Sequence, residues 1–166
     1  YTGISTDTGC FRYTNTTADT FRIAASLVEL GCNSAYINKV MFETKSKEKI
    51  MLEREVYDTI TYCADGKCAI VWVTLDMLKS LNIGEDEIEG LASIPRQIEG
   101  VLIGITMKEK EGGFFKISVR TNGDIDAAKF CSKFGGGGHK AAAGCSINGS
   151  LEDVRSQLIK AAEETL

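Results

Sequence analysis

Two periodicities take turns along these 166 residues. From Phe114 to Arg120, apolar Phe115, Ile117 and Val119 alternate with Lys116, Ser118 and Arg120, which predicts a strand with one buried face. Gly100–Met107 predicts a second strand, with Lys108–Gly113 as the hairpin turn between them. Cys68–Leu75 and Ala142–Ile147 read as two more strands. Helical spacing appears in Phe21, Ala24, Ala25, Leu27 and Val28, with Thr16 or Thr17 as cap, Asp19 in the first turn and Gly31 just past the end. Asn33 or Ser34 caps a short helix through Ala35, Ile37 and Val40. A long amphipathic helix is predicted from Lys45 to about Tyr62, its apolar face made of Ile50, Met51, Val56, Tyr57 and Ile60. Asp65-Gly66 marks a turn, and Asp76 caps a short helix through Met77, Leu78 and Leu81. Gly84–Leu91 is acidic and reads as a helix or ordered loop, and Pro95 interrupts the chain after it. Asp124 or Asp126 opens a helix through Ala128, Phe130 and Cys131. Ser150-Leu-Glu-Asp153 resembles a capping box that starts a last helix running to Leu166. The Thr-rich residues 1–17 read as a strand end and a loop. This mixture implies an α/β or α+β chain with a mixed sheet.

Composition changes that picture little. Hydrophobic residues make up 43% and charged residues 25%, as in ordinary globular domains. The net charge of −4 excludes a broadly basic nucleic-acid coat and leaves room for a local basic pocket. There is no apolar run of about 18 residues, so no membrane span is predicted. The first residues lack a basic and apolar leader, so a secretory signal is not expected, and a cytoplasmic location is. The six cysteines contain no C-x-x-C pair, and a single histidine cannot complete a usual zinc spacing; free thiols in a reducing cytosol are expected. The chain does not open on Met, which reads as a fragment of a longer protein.

Candidate chemistry concentrates at two places. The first is Phe134-Gly-Gly-Gly-Gly-His139-Lys140-Ala-Ala-Ala-Gly144. Four glycines weaken any helix or strand, each by about 1 kcal/mol relative to alanine, so they imply close backbone approach or positive φ. Such a run can turn several N–H groups toward an anion, with His139 and Lys140 at its exit. A flexible linker is the plainer reading, although a linker would continue in Ser, Gly or Pro. The second place is Thr6-Asp7-Thr8-Gly9-Cys10-Phe11-Arg12-Tyr13-Thr14-Asn15-Thr16-Thr17. A carboxylate there suits Mg²⁺ or Mn²⁺, and the alternative is an Asx hydrogen bond closing a turn.

Together these segments resemble a known family. The Thr6–Thr17 stretch resembles the last motif of the DHH phosphoesterase domain. Val119-Arg120 followed by the glycine run resembles the signature of the DHH-associated C-terminal domain. The order and spacing resemble the short DHH proteins, bacterial oligoribonucleases that also dephosphorylate 3′-phosphoadenosine 5′-phosphate. RecJ-like exonucleases and cyclic-dinucleotide phosphodiesterases are related branches. Alanyl-tRNA synthetases share the glycine signature but not the Asp-Thr-Gly motif. The resemblance implies an α/β fold, a mixed sheet flanked by helices, preceded by the last strand-loop-helix of a DHH domain. It places a DHH remnant and connector at 1–44 and the substrate-binding domain at 45–166.

It further implies site roles. Asp7 matches a ligand of a Mn²⁺ pair. Gly135, Gly136, Gly137, Gly138 and His139 match the loop that holds the substrate's phosphate or terminal nucleotide. Arg120 matches the arginine of the Ser-x-Arg strand facing that pocket, and Arg12 lies near the cleft. Ala18 stands where many relatives have proline, which alters only the first turn of a helix. The Asp and His residues of the earlier motifs have no counterpart here, so the expected two-ion site is incomplete and the chain alone is expected to be inactive. Short RNA oligonucleotides or 3′-phosphoadenosine 5′-phosphate are the implied partners.

Plainer readings stand beside these. His139 could be a packed, hydrogen-bonded side chain, and Arg120 a solvated strand residue. Lys45–Glu55 reads as a wet helix face, and Phe114-Phe115 as core or as a base-stacking pair. A non-catalytic nucleotide- or RNA-binding module is one competing function. An interaction or homodimer surface on the Lys45–Tyr62 helix is another.

Overall fold

The computed structural model describes residues 1–84, 88 and 90–166. The chain divides into two compact units, Tyr1–Ser46 and Lys47–Leu166. No helix among the described residues is long and apolar enough to cross a membrane.

The first unit is helical. α1 (Thr2–Asp7) takes the place of the expected strand end. The hydroxyls that suggested a loop bond back onto the helix instead: Thr8 Oγ1 donates to Ile4 O at 2.7 Å, and Thr6 Oγ1 lies 3.0 Å from Thr2 O. α2 (Ala18–Glu29) is capped by Thr17, whose side chain accepts from Thr20 N. It ends as a Schellman motif, with Gly31 N bonded to Val28 O and Cys32 N to Leu27 O, and Gly31 at φ 93°. Of the expected apolar face only Ala24 is buried; Phe21 is 56% exposed and Val28 45%. α3 (Ser34–Asn38) is capped by Asn33 and runs into a π-helical turn over Lys39–Glu43.

The second unit is a six-stranded mixed sheet in the order β1-β2-β3-β4-β6-β5. Its strands are β1 (Thr61–Cys63), β2 (Cys68–Val73), β3 (Ile103–Lys110), β4 (Phe114–Thr121), β5 (Gly137–His139) and β6 (Ala142–Asn148). Among the described residues only β2 and β3 pair in parallel. Helices flank it: α4 (Lys47–Asp58), α5 (Leu75–Ser80), α6 (Ala127–Ser132) and α7 (Leu151–Glu163). This is the α/β fold with a mixed sheet that the sequence implied, whereas the strand expected ahead of it is α1.

Several boundaries move. The Lys45–Tyr62 helix stops at Asp58 and buries Leu52 and Val56, leaving Ile50, Met51 and Tyr57 exposed. Thr59 ends it: its Oγ1 donates to Val56 O at 2.7 Å and accepts Trp72 N at 3.1 Å, so the β-branched residues that follow enter the sheet as β1. Thr74 rather than Asp76 caps α5, accepting Met77 N at 3.2 Å. β3 starts at Ile103 and runs through Lys110, because Lys108–Lys110 pair with Phe114–Lys116; the turn shrinks to residues 111–113. α6 starts behind Asp126 and α7 behind Ser150, as expected, but α7 ends at Glu163. The acidic segment Gly84–Leu91 falls largely on residues 85–87 and 89, outside the described residues.

The core lies on both sides of the sheet. One face buries Ile103, Ile105, Met107, Phe115, Ile117, Val119 and Ile147 against Phe130 of α6 and Val154, Leu158 and Ala162 of α7. The other buries Val71 and Val73 against Leu52, Val56, Leu78, Leu91 and Ile94. Among the described residues that second cover lies over β2 and β3 and reaches β4 through the Leu91–Ser93 turn. On the same face, Lys116, Ser146, Gly137 and His139 remain exposed along β4, β6 and β5.

Candidate functional site

In the first unit, Asp7 is the last residue of α1 and its side chain is exposed. It lines a cavity of about 320 Å³ with Ile4, Thr8, Thr17, Asp19, Thr20 and Ile23. Its carbonyl accepts Asn15 Nδ2 at 3.0 Å, which ties the motif's two ends together. Gly9, Cys10 and Phe11 all take positive φ, at 55°, 59° and 62°. A Cβ on Gly9 would run into the Tyr13 ring, so the turn requires glycine there. This turn carries Arg12, whose Nε donates to Gly9 O at 2.6 Å. Ser5, which heads the motif and had no role assigned from sequence, is fully buried and its Oγ donates to Asn38 Oδ1 at 2.7 Å, fixing α1 on α3.

In the second unit, strand register assembles the other candidates. Arg120 of β4 is paired with Ala142 of β6, and Ala142 with His139 of β5. Facing residues in successive strands share a face, so Arg120 and His139 stand on one side of the sheet, two strand spacings or roughly 10 Å apart. The next row along is Ser118, Gly144 and Gly137. Ala142, Gly144 and Gly137 thus make a floor with almost no side chain, walled by Arg120 and Ser118 on one side and His139 on the other. Gly104 extends the Arg120 row into β3. A Cβ there would meet Arg96 N at 2.7 Å, so its absence lets the Pro95–Gln97 turn lie against the sheet.

The glycine run is not one loop, as the sequence had suggested. Gly135 N donates to Ser132 O and Gly136 N to Cys131 O, closing the end of α6, so these two amides are not turned outward as an anion nest would need. Gly137, Gly138 and His139 are the edge strand β5. An edge strand keeps one side of its N–H and C=O row unpaired within the sheet, here the side turned away from β6. The glycines are explained by close approach: a Cβ on Gly136 would collide with Gly144 O and Cys145 Cβ, and one on Gly138 would meet Ala142 O at 2.6 Å. Lys140 is paired with Asp124, Nζ to Oδ1 at 3.2 Å. Its carbonyl accepts Ala127 N at 2.8 Å and lies 3.0 Å from Thr121 Oγ1. Thr121, buried at the end of β4, therefore anchors the turn after His139, and the only hint in sequence was a polar residue closing an alternating strand.

Phe115 is buried in the core, so the stacking role raised for the Phe114-Phe115 pair does not fall to it. Asp7 and Arg12 belong to the first unit, and Arg120, His139 and the glycines to the second. Among the described residues no three His, Cys, Asp or Glu side chains gather as a metal site. Asp7 and Asp19 line one cavity, and these two carboxylates alone do not make up the donor set of a two-ion centre.

The DHHA1 domain family matches residues 65–166. The bifunctional oligoribonuclease and PAP phosphatase NrnA of Thermus thermophilus is 31% identical over 99% of this chain and 49% of its own length. The Bacillus subtilis protein of the same description is 26% identical over 89% of this chain and 46% of its own. The chain spans about half the length of the curated relatives it matches. Among solved structures, an exopolyphosphatase-related protein from Bacteroides fragilis superimposes with a TM-score of 0.86 at 24% identity, covering 97% of this chain and 48% of that one, a likeness of fold.

Proposed function

The chain belongs to the DHHA1 domain family, and from that premise we propose that it is the substrate-gripping part of a phosphoesterase acting on short oligoribonucleotides, on 3′-phosphoadenosine 5′-phosphate, or on both. The relatives described as oligoribonucleases and PAP phosphatases support the substrate class. The observation that carries the reading is the row Arg120–Ala142–His139 above a floor of Ala142, Gly144 and Gly137.

Each part of that row has a use. The bare floor admits a sugar-phosphate close to the backbone. Arg120 offers a planar, permanently charged fork that matches phosphate oxygens. His139 offers an imidazole N–H at the opposite wall. A row with one arginine and one histidine needs no broad basic surface, which agrees with the net charge of −4. Binding and orientation are what these residues contribute. Asp7 would supply one carboxylate to a Mn²⁺ site, and a pair of ions would need further ligands beside it.

Titration of the chain with 3′-phosphoadenosine 5′-phosphate and with a diribonucleotide tests this. Arg120→Ala and His139→Ala should each weaken binding about tenfold, on the order of 1.4 kcal/mol. Raised salt should weaken binding of the wild-type chain more than of Arg120→Ala. Unchanged affinity in both variants, with circular dichroism intact, would sink the assignment.

A further inference from the structure

Cys63 and Cys68 lie outside everything so far assigned to function. They are direct Cα partners across the β1–β2 hairpin. Opposed residues of an antiparallel pair sit about 4.5–5.5 Å apart at Cα, inside the roughly 4.4–6.8 Å that a disulfide spans. The turn between them is fixed: Gly66 N donates to Cys63 O at 3.2 Å and Lys67 N to Ala64 O at 3.0 Å. Ala64 and Asp65 both hold positive φ, at 50° and 53°. Both sulfurs are thiols, and they differ in exposure: Cys68 is fully buried, whereas Cys63 is half-buried. The turn that follows Cys63 lines an open, polar cavity of about 280 Å³, made by Ala64, Asp65, Lys67, Glu163 and Leu166.

We propose that Cys63 and Cys68 form a redox dithiol that takes a low-molecular-weight disulfide as its substrate. The Cys63 thiolate attacks one sulfur of the disulfide RSSR, forming a mixed disulfide and releasing RS⁻. The Cys68 thiol then gives up its proton, attacks Cys63 Sγ and expels the second RS⁻. In balance, two protein thiols and RSSR become one protein disulfide and two RSH, so the protein is oxidised and the small disulfide reduced. The environment separates the roles. The hydrogen bond from the Cys68 thiol holds Cys63 below the ordinary thiol range, against the opposing effects of burial and of Glu163. The same hydrogen bond, with burial, pushes Cys68 well above it. The less buried residue, Cys63, which packs at the margin of the core, is therefore the nucleophile, and the fully buried Cys68 resolves.

The molecule contains its own comparison. Cys131 and Cys145 also share a thiol–thiol hydrogen bond, but both are buried, Cys145 directly beneath Gly136. Thiol pairing without access should not react.

The test is incubation of the folded 166-residue chain with glutathione disulfide, acid quench, alkylation under denaturing conditions and peptide mass spectrometry. The expected product is an intramolecular Cys63–Cys68 disulfide, with Cys131 and Cys145 recovered as alkylated thiols. In Cys68→Ser the glutathione adduct should persist on Cys63, and Cys63→Ser should leave Cys68 unmodified. The proposal is overturned if Cys63 and Cys68 remain reduced while Cys10 and Cys32 react. It is equally overturned if the wild-type chain keeps glutathione on Cys63, or if Cys131–Cys145 oxidises first.

Discussion

At the scale of single residues, the glycine run shows how one pattern can arise from two causes. Four glycines suggested amides turned toward an anion. Two of those amides close α6 instead, and what forbids a side chain at Gly136 is the backbone of β6 beneath it. Gly136→Ala should therefore lower stability by about 2 kcal/mol or more, since the colliding partners are Gly144 O and Cys145 Cβ rather than a flexible tip. Chemical denaturation would read this as a lower midpoint at unchanged slope. A midpoint within error of wild type would mean that β5 moves freely off β6. Arg120 and His139 were legible as candidates from their motifs. That they share one face follows from the pairing Arg120–Ala142–His139, a register between segments far apart in sequence that no local pattern encodes.

At the scale of elements, caps and alternation were the readable signals. Thr17, Asp126 and Ser150 each cap the helix their position suggested, because a side-chain oxygen beside a free N–H is a local matter. The Phe115–Val119 alternation gave the buried face of β4 for the same reason. Which face of a helix finds a partner is not local. Leu52 and Val56 of α4 are buried because β2 lies under them, while Ile50 and Met51, equally apolar, are not. Thr59 marks the join, bonded at once to the end of α4 and to Trp72 N. Thr59→Val keeps the shape and removes both bonds, leaving a β2 donor unsatisfied. It should lower stability by about 1–3 kcal/mol. A comparison of unfolding curves for Thr59→Val and Thr59→Ser decides it, with the serine close to wild type.

At the scale of the whole molecule, the two units hold very unequal cores. In Tyr1–Ser46 the buried side chains beyond glycine are Ser5, Thr8 and Ala24. Lys47–Leu166 packs both faces of its sheet. Little buried apolar surface means low local stability, so amides of α2 and α3 should exchange with solvent at least tenfold faster than those of β3 and β4. Hydrogen–deuterium exchange with peptide resolution measures this, and uniform protection across both units would contradict it.

The outer strands of the sheet have a further consequence. β1 and β5 are both three residues long, and β5 carries two glycines. A long unpaired strand at a sheet margin is a template on which another chain can add by backbone pairing. This sheet presents only short margins, with its eight-residue strands β3 and β4 kept inside. The arrangement resists fibrillar self-association, because the strands at both margins are only three residues long.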